Sequence, residues 1–217
     1  MKLSNLALAT VASSLLGVAV GATVMTTPTT PTVVISIPAA DGTSGGGFVT
    51  SLPKNLTPKQ AQMLSLAYEI AKKDGHKYPQ LLQGILLQET KAGGMSSYAV
   101  AGQEFGLKTN ERYYGVAQIK LVAARAVLNH YPSLKQEFDF HTQTDEEVIA
   151  KLIENDRFNI SVASKYLLIL KQSGYDTMKT LAVAYNQGAA GAARLNPDRN
   201  QYSRGVMAHI QDLTLKE

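Results

Sequence analysis

The feature of this sequence that most constrains its fold is a succession of apolar stripes at helical spacing between residues 57 and 217. Capping residues, glycines and prolines separate these stripes, as they do where one helix ends and the next begins. Outside this region, residues 33–37 (Val-Val-Ile-Ser-Ile) form a short run with strand propensity. The pattern predicts an all-α fold in a single domain that covers residues 57–217.

Local signals also predict where individual helices begin and end. Thr57-Pro58-Lys59-Gln60 is a capping box with proline in the first helical position, and residues 144–147 form a second capping box. Asp176 is a candidate cap for a later helix. Residues 92–113 are predicted to form a long loop, because their glycines follow no clear period. The predicted helices cover residues 57 to about 75, 79 to about 90, 119 to about 130, 144 to about 154, 158 to about 174, 176 to about 188, and 198 to about 213.

The amino-terminal residues 1–22 have the three parts of an export signal. Met1-Lys2 supplies the positive charge, residues 6–20 form an apolar run, and Val20-Gly21-Ala22 provides a small-residue cleavage site. We therefore expect an exported protein, located in the periplasm or cell envelope. The alternative is an uncleaved membrane anchor, because the apolar stretch from residue 6 to residue 25 approaches the roughly 20 residues that span a bilayer.

Residues 23–56 have the composition of a flexible linker. They contain two Thr-Pro pairs and the run Gly45-Gly46-Gly47, and they carry too little apolar surface to fold alone. The strand-like residues 33–37 lie inside this linker. They are interpreted either as a sticky extended segment or as a strand that binds a partner, such as cell-envelope or secretion machinery.

Composition excludes several classes of site. The chain has no cysteine, so it can form neither a disulfide framework nor a thiolate metal site. Its four histidines are scattered and form no His-x-x-x-His pair, so a zinc site is not expected, and no cofactor is predicted. The formal net charge of +4 is modest and the charges are mixed along the chain, so no nucleic-acid partner is expected.

One carboxylate, Glu89, falls on an apolar stripe. It shares the helical spacing i, i+3, i+4, i+7 with Leu82, Ile85 and Leu86, which predicts a buried position. Burial disfavours the ionised carboxylate and raises the pKa, as a general acid near neutral pH requires. The alternative is that Glu89 ends the helix and turns to solvent beside Lys91.

Four further segments give this residue a context. They are Gly115-Val116-Ala117-Gln118, Asn159 to Leu167, Ala184-Tyr185-Asn186-Gln187-Gly188, and Tyr202. Together with Glu89-Thr90, they resemble in order and spacing the signatures of the soluble-type lytic transglycosylase catalytic domain, a member of the lysozyme-like superfamily. The resemblance covers about residues 57 to 217 and departs from the family pattern at Thr90, Ala117 and Ala163, where Ser, a bulky apolar residue and Gly are usual.

The resemblance implies a goose-type lysozyme-like helical domain that acts on peptidoglycan glycan strands. It implies that Glu89 alone serves as general acid and base, cleaving the bond between N-acetylmuramic acid and N-acetylglucosamine and leaving a 1,6-anhydro product. It also implies roles in substrate binding or orientation for the residues that occupy the other signature positions. These are Thr90, Gln118, Tyr185, Asn186 and Tyr202.

From the residues alone, other roles remain open for these positions. Gln118 could equally cap the helix that follows Gly115, and Tyr185 and Tyr202 could be core tyrosines. Glu104 and Glu111 are candidates for a second catalytic carboxylate, although solvated loop charges are the favoured interpretation. The alternative functions are a hydrolytic muramidase that uses the same glutamate and a non-catalytic module that binds cell wall.

Overall fold

Eight α-helices make up most of the part of the chain that the structure describes. This computed structural model describes residues 56–95 and 98–214, together with the backbone of residues 35–36 and 48–49. The prediction of a mainly helical fold is confirmed for these residues. The helices are α1 (Pro58–Lys73), α2 (Gln80–Thr90), α3 (Leu121–His130), α4 (Ser133–Glu137), α5 (Asp145–Glu154), α6 (Asp156–Gln172), α7 (Met178–Ala192) and α8 (Gln201–Thr214).

The predictions for the amino-terminal part fall mainly outside the described residues. The export signal at residues 1–22 lies wholly outside them, and so does most of the linker at residues 23–56. Within the linker, β1 (Ile35–Ser36) pairs antiparallel with β2 (Phe48–Val49), so the strand-like run does contain a strand. None of the described helices has the combination of length and hydropathy that a membrane span requires.

Three further strands lie where the sequence predicted loop and helix. They are β3 (Val100–Ala101), β4 (Tyr113–Tyr114) and β5 (Ile119–Lys120), and they form an antiparallel sheet in the order β3-β4-β5. The predicted loop over residues 92–113 therefore contains one strand and leads into a second. Helix α3 starts at Leu121 rather than at Ile119. Strands of two residues are too short to leave an alternating pattern in the sequence.

Two of the predicted helix caps differ from the observed ones. Thr144 caps α5 through the amide of residue 147, but the Glu147 carboxylate accepts the backbone amides of residues 141–143 instead of closing the box. These hydrogen bonds lower the pKa of Glu147 to about 2. Helix α7 is capped by Thr177, and not by Asp176 as predicted. The capping box at Thr57 and Gln60 is confirmed.

Helices α2 and α8 pack closely against each other because glycines lie at their contact. A Cβ atom on Gly84 would come within 2.7 Å of Ile210 Cγ1, and one on Gly205 would overlap the Gln88 side chain. Residues late in α2 thus meet residues early in α8, so the two helices run antiparallel. This contact brings Tyr202, in the first turn of α8, next to the end of α2.

Candidate active site

Glu89 lies in the last turn of α2, and its side chain is partly buried. The other members of its stripe, Leu82, Ile85 and Leu86, are fully buried. Burial raises the pKa of Glu89 from 4.5 to about 7, because the surroundings solvate a carboxylate poorly. The predicted rise in pKa is confirmed, the predicted buried position is reached only in part, and Glu89 can exchange a proton near neutral pH.

Tyr202 is the direct hydrogen-bonding partner of Glu89. Its hydroxyl donates to Glu89 Oε1 at 2.6 Å, so the tyrosine does point toward the catalytic candidate. This hydrogen bond favours the ionised carboxylate and lowers the pKa of Glu89, but the effect of burial is larger. Burial and the nearby Glu89 charge raise the pKa of Tyr202 well above 10, so its hydroxyl remains a proton donor at neutral pH.

We expect Tyr202→Phe to raise the pKa of Glu89 above about 7. The substitution removes the only hydrogen bond to the carboxylate found among the described residues, while the burial that disfavours the ionised form remains. A hydrogen bond to a charged group contributes about 1.5–3 kcal/mol, so the rise should be about one pH unit or more. Titration of the Glu89 carboxyl by carbon NMR measures it.

The control for this titration is Tyr175→Phe. The Tyr175 hydroxyl donates to the Ala189 carbonyl at 2.5 Å and does not contact Glu89. This variant loses a tyrosine hydroxyl but should leave the Glu89 titration unchanged. An unchanged or lowered pKa in Tyr202→Phe would contradict the assigned role of the hydrogen bond.

The chain leaves α2 through backbone held in the left-handed region. Lys91, Ala92 and Gly93 have φ values of 52°, 51° and 79°. This conformation is unfavourable for Lys and Ala, so surrounding contacts must hold it in place. The Gln60 side-chain amide donates to the Lys91 carbonyl at 2.7 Å, and the Gly93 amide donates to Thr90 Oγ1 at 3.0 Å. The end of the helix that carries Glu89 is therefore fixed by side chains.

The Thr90 side chain hydrogen-bonds to backbone groups and is not open to a ligand. It is fully buried, and its hydroxyl donates to the Val116 carbonyl at 2.8 Å while it accepts the Gly93 amide. This differs from the expectation that Thr90 binds substrate, because no part of the side chain is accessible. Thr90 joins the end of α2 to the turn between β4 and β5, and so acts as a positioning residue.

The turn between β4 and β5 is held from three directions. Besides the bond from Thr90 to Val116, the Tyr185 hydroxyl donates to the Ala117 carbonyl at 2.7 Å. Asn159 Oδ1, on α6, accepts the Ala117 amide at 2.7 Å. The Asn159 side-chain amide also donates to two backbone carbonyls, those of residues 114 and 152. Asn159 is fully buried, and its supporting role was not predicted from sequence.

Gln118 completes this turn with a φ of 50°. Its side-chain amide donates to the carbonyls of Tyr98 at 2.5 Å and Gly115 at 2.7 Å. The N-cap residue of α3 is Lys120, so the alternative in which Gln118 caps that helix is wrong. Gln118 instead lines a pocket.

The pocket has a volume of about 180 Å³ and lies beside the β4–β5 turn. It brings together three predicted site residues, Gln118, Tyr185 and Asn186, but Glu89, Thr90 and Tyr202 are not part of its lining. Tyr185 connects the two groups: its ring lines the pocket, and the Glu89 charge helps to raise its pKa well above 10. The described residues of the lining are Tyr113, Gln118, Ile119, Lys120, Val122, Ala123, Tyr166, Tyr185, Asn186, Gln187 and Gly188.

A kink inside α7 shapes another part of the lining. Asn186 accepts a hydrogen bond from the neighbouring Gln187 side chain. Gly188 then leaves the helical conformation with φ 68° and ψ 165°, which only glycine adopts readily. The Tyr166 ring packs against Tyr185 with 5.8 Å between the centroids. Tyr166 was not predicted as a site residue, because its spacing in α6 is that of an ordinary core position.

The other acidic candidates stand apart from this site. Glu104 and Glu111 are exposed and do not line the pocket, and Glu111 accepts the Lys108 amide at 3.1 Å to close a single 3-10 turn. Their interpretation as solvated loop charges is confirmed. In the described ranges, no three His, Asp or Glu side chains converge as ligands for a metal ion.

No family model, curated protein or solved structure matches this chain. The function proposed for it therefore rests on the residues and on the geometry of the site.

Proposed function

We propose that this protein is a peptidoglycan lytic transglycosylase with a lysozyme-like arrangement of helices. It cleaves the β-1,4 bond between N-acetylmuramic acid and N-acetylglucosamine and leaves a 1,6-anhydromuramic end. The observation that carries the proposal is the pairing of Glu89, whose pKa is raised to about 7, with the Tyr202 hydroxyl at 2.6 Å. The order of the sequence signatures supports the same reaction.

Glu89 acts in both steps of this reaction. Protonated Glu89 donates its proton to the glycosidic oxygen as the bond from that oxygen to C1 of the muramic residue breaks. The resulting carboxylate then accepts the proton of the muramic 6-hydroxyl, whose oxygen bonds to C1. Glu89 ends protonated, and no water is consumed. A group with a pKa near 7 suits both steps, because its acid and base forms are both accessible at neutral pH.

Tyr202 and Tyr185 have separate tasks in this mechanism. The Tyr202 hydroxyl fixes the orientation of the Glu89 carboxyl and stabilises its ionised form between the two steps. Tyr185 holds the β4–β5 turn through the Ala117 carbonyl and presents its ring to the pocket. Gln118 and Asn186 supply polar groups to the same pocket, where they contact the sugar.

The surroundings of Glu89 favour a single acid/base over a pair of carboxylates. Glycosidases that use two carboxyl groups hold them about 5–9.5 Å apart across the bond that is cleaved. The pKa of Glu89 is raised by burial and lowered by the Tyr202 hydrogen bond, and no other carboxylate among the described residues contributes to the shift. The substrate's own acetamido group takes the place of the second carboxylate in the proposed reaction.

Mass spectrometry of digested peptidoglycan tests the proposal. Purified cell wall is incubated with the protein and the released muropeptides are analysed. We expect anhydro ends, which are lighter by one water than reducing ends. Reducing ends alone would identify a hydrolytic muramidase instead, and wall binding without release of fragments would identify a non-catalytic binding module.

The location and partners of the protein belong to the same proposal. Peptidoglycan lies outside the cytoplasmic membrane, so the signal at residues 1–22 delivers the domain to its substrate or anchors it to the membrane. Residues 23–56 link this segment to the catalytic domain and are the proposed contact with envelope or secretion machinery.

A further inference from the structure

Lys120 gives the pocket its only charge among the described residues of the lining. It lies on β5 directly opposite Tyr113 on β4, and its ammonium is 4.7 Å from the centroid of the Tyr113 ring. Such a cation–π contact holds the ammonium in place without neutralising it. Tyr113 also lines the pocket, so the contact places the cation at its wall.

The alternation of the two strands explains why this pair faces the pocket. Tyr114 and Ile119, the other pair of opposed residues in these strands, are each 2% exposed and belong to the core. Successive side chains of a strand point to opposite faces. Tyr113 and Lys120 therefore lie on the more exposed face of these strands, and the buried Ile119 also borders the pocket.

The Lys120 ammonium is available to a ligand. The ion pairs found among the described residues join Arg125 to Asp145, Arg157 to Glu137, Lys165 to Asp74 and Lys179 to Asp198, and none includes Lys120. A pocket with one cation and no described carboxylate favours an anionic ligand. Gln118, two residues away, and Asn186 add neutral polar groups to the same wall.

We infer that Lys120 makes the site selective for glycan that carries a carboxylate on the muramic residue. This inference rests on the proposed function, because it identifies which part of that substrate the pocket contacts. In a peptide-free strand the carboxylate is the lactyl group of muramic acid. In a peptide-bearing strand the lactyl group is an amide, and the carboxylates belong to the stem peptide. N-acetylglucosamine has neither.

Binding measurements in the Glu89→Gln background test the inference without turnover. Three ligands are compared by calorimetry: peptide-bearing strands, peptide-free strands, and peptide-free strands whose lactyl carboxylates have been converted to methylamides. We expect Lys120→Gln to weaken binding of a carboxylate-bearing strand about tenfold, as loss of a charge-assisted hydrogen bond does. Binding of the neutral strands should not change, and Lys120→Arg should retain most of the affinity.

The pattern of loss identifies the source of the carboxylate. Weaker binding of peptide-free strands assigns the contact to the lactyl group, and weaker binding of peptide-bearing strands alone assigns it to the stem peptide. Equal losses on all three ligands, or no loss on any, would overturn the inference. The matched control is Lys151→Gln, which removes an ammonium 5.0 Å from the Phe140 ring centroid but outside this pocket.

These measurements are independent of the proposed reaction. If the wild-type protein releases no anhydro ends but still binds the charged strands through Lys120, the proposed function fails and the assigned selectivity stands. If anhydro ends appear while Lys120→Gln binds all three ligands normally, the selectivity fails and the proposed function stands. Thermal unfolding of each Lys120 variant verifies that the fold is intact.

Discussion

Replacing Glu89 by glutamine is expected to reduce cleavage of peptidoglycan by about a thousandfold or more. General acid–base catalysis contributes roughly 10²–10⁴-fold to a rate, and here one group supplies both the acid and the base. Glutamine can still accept the hydrogen bond from Tyr202, so the local geometry is retained while the exchangeable proton is lost. The loss should therefore appear in kcat more than in substrate binding.

The same substitution should change stability by an amount that depends on pH. Glu89 titrates at about 7 in the folded protein and near 4.5 when unfolded. Between these values the folded state binds more protons, so wild-type stability falls as the pH rises through this window. At about 1.4 kcal/mol per pH unit, full ionisation costs up to about 3 kcal/mol. Glutamine carries no charge, so Glu89→Gln should be the more stable protein above pH 7.

Two measurements on the same preparations check this prediction. The rate of release of muropeptides gives the catalytic effect, and thermal midpoints at pH 4.5 and pH 8 give the effect on stability. The matched control is Glu69→Gln, which alters an exposed glutamate on α1 and should leave both quantities unchanged. A nearly normal rate in Glu89→Gln would refute the catalytic assignment.

Seven of the eight described helices could be predicted because their signals are local, whereas the five-residue helix α4 was not predicted. The Thr57 capping box and the stripe of Leu82, Ile85 and Leu86 require only the residues within one or two turns of helix. The strands between residues 100 and 120 could not be predicted in this way. They exist because Tyr114 and Ile119 reach the core, and the contacts that bury them come from helices distant in the sequence.

The same distinction between local signals and distant contacts applies to the residues of the candidate site. Helical spacing alone predicted that Glu89 is buried with a raised pKa, whereas only the family resemblance suggested that Tyr202 lies near it. The resemblance also suggested that Thr90 binds substrate, but the fold directs its hydroxyl to the Val116 carbonyl. The role of Asn159 depends on an amide 42 positions away, and a single buried Asn in a helix gives no indication of its partner.

The second large effect is expected for Gly115→Ala, which should destabilise the protein by about 4 kcal/mol or more. Gly115 has a φ of 72°, and a Cβ atom there would overlap the Leu152 carbonyl oxygen and the Asn159 side-chain amide. Left-handed backbone costs alanine about 1–2 kcal/mol. Overpacking against backbone adds about 1–3 kcal/mol, and displacing the buried Asn159 leaves hydrogen-bonding groups unsatisfied at a similar cost. Such a loss approaches the whole stability of many domains.

Gly75→Ala separates the effect of conformation from the effect of space. Gly75 has a φ of 77°, almost the same as Gly115, but nothing lies within 4 Å of the added Cβ atom. The Gly75→Ala variant should therefore lose only the conformational cost, about 1–2 kcal/mol of unfolding free energy. Urea unfolding measures both free energies. If the two variants lost equal stability, Gly115 would be required for its dihedral angle alone. The close contact with Asn159 and the Leu152 carbonyl would then not contribute to the loss. A larger loss in Gly115→Ala, together with impaired cleavage, is expected because this turn carries Gln118 into the pocket.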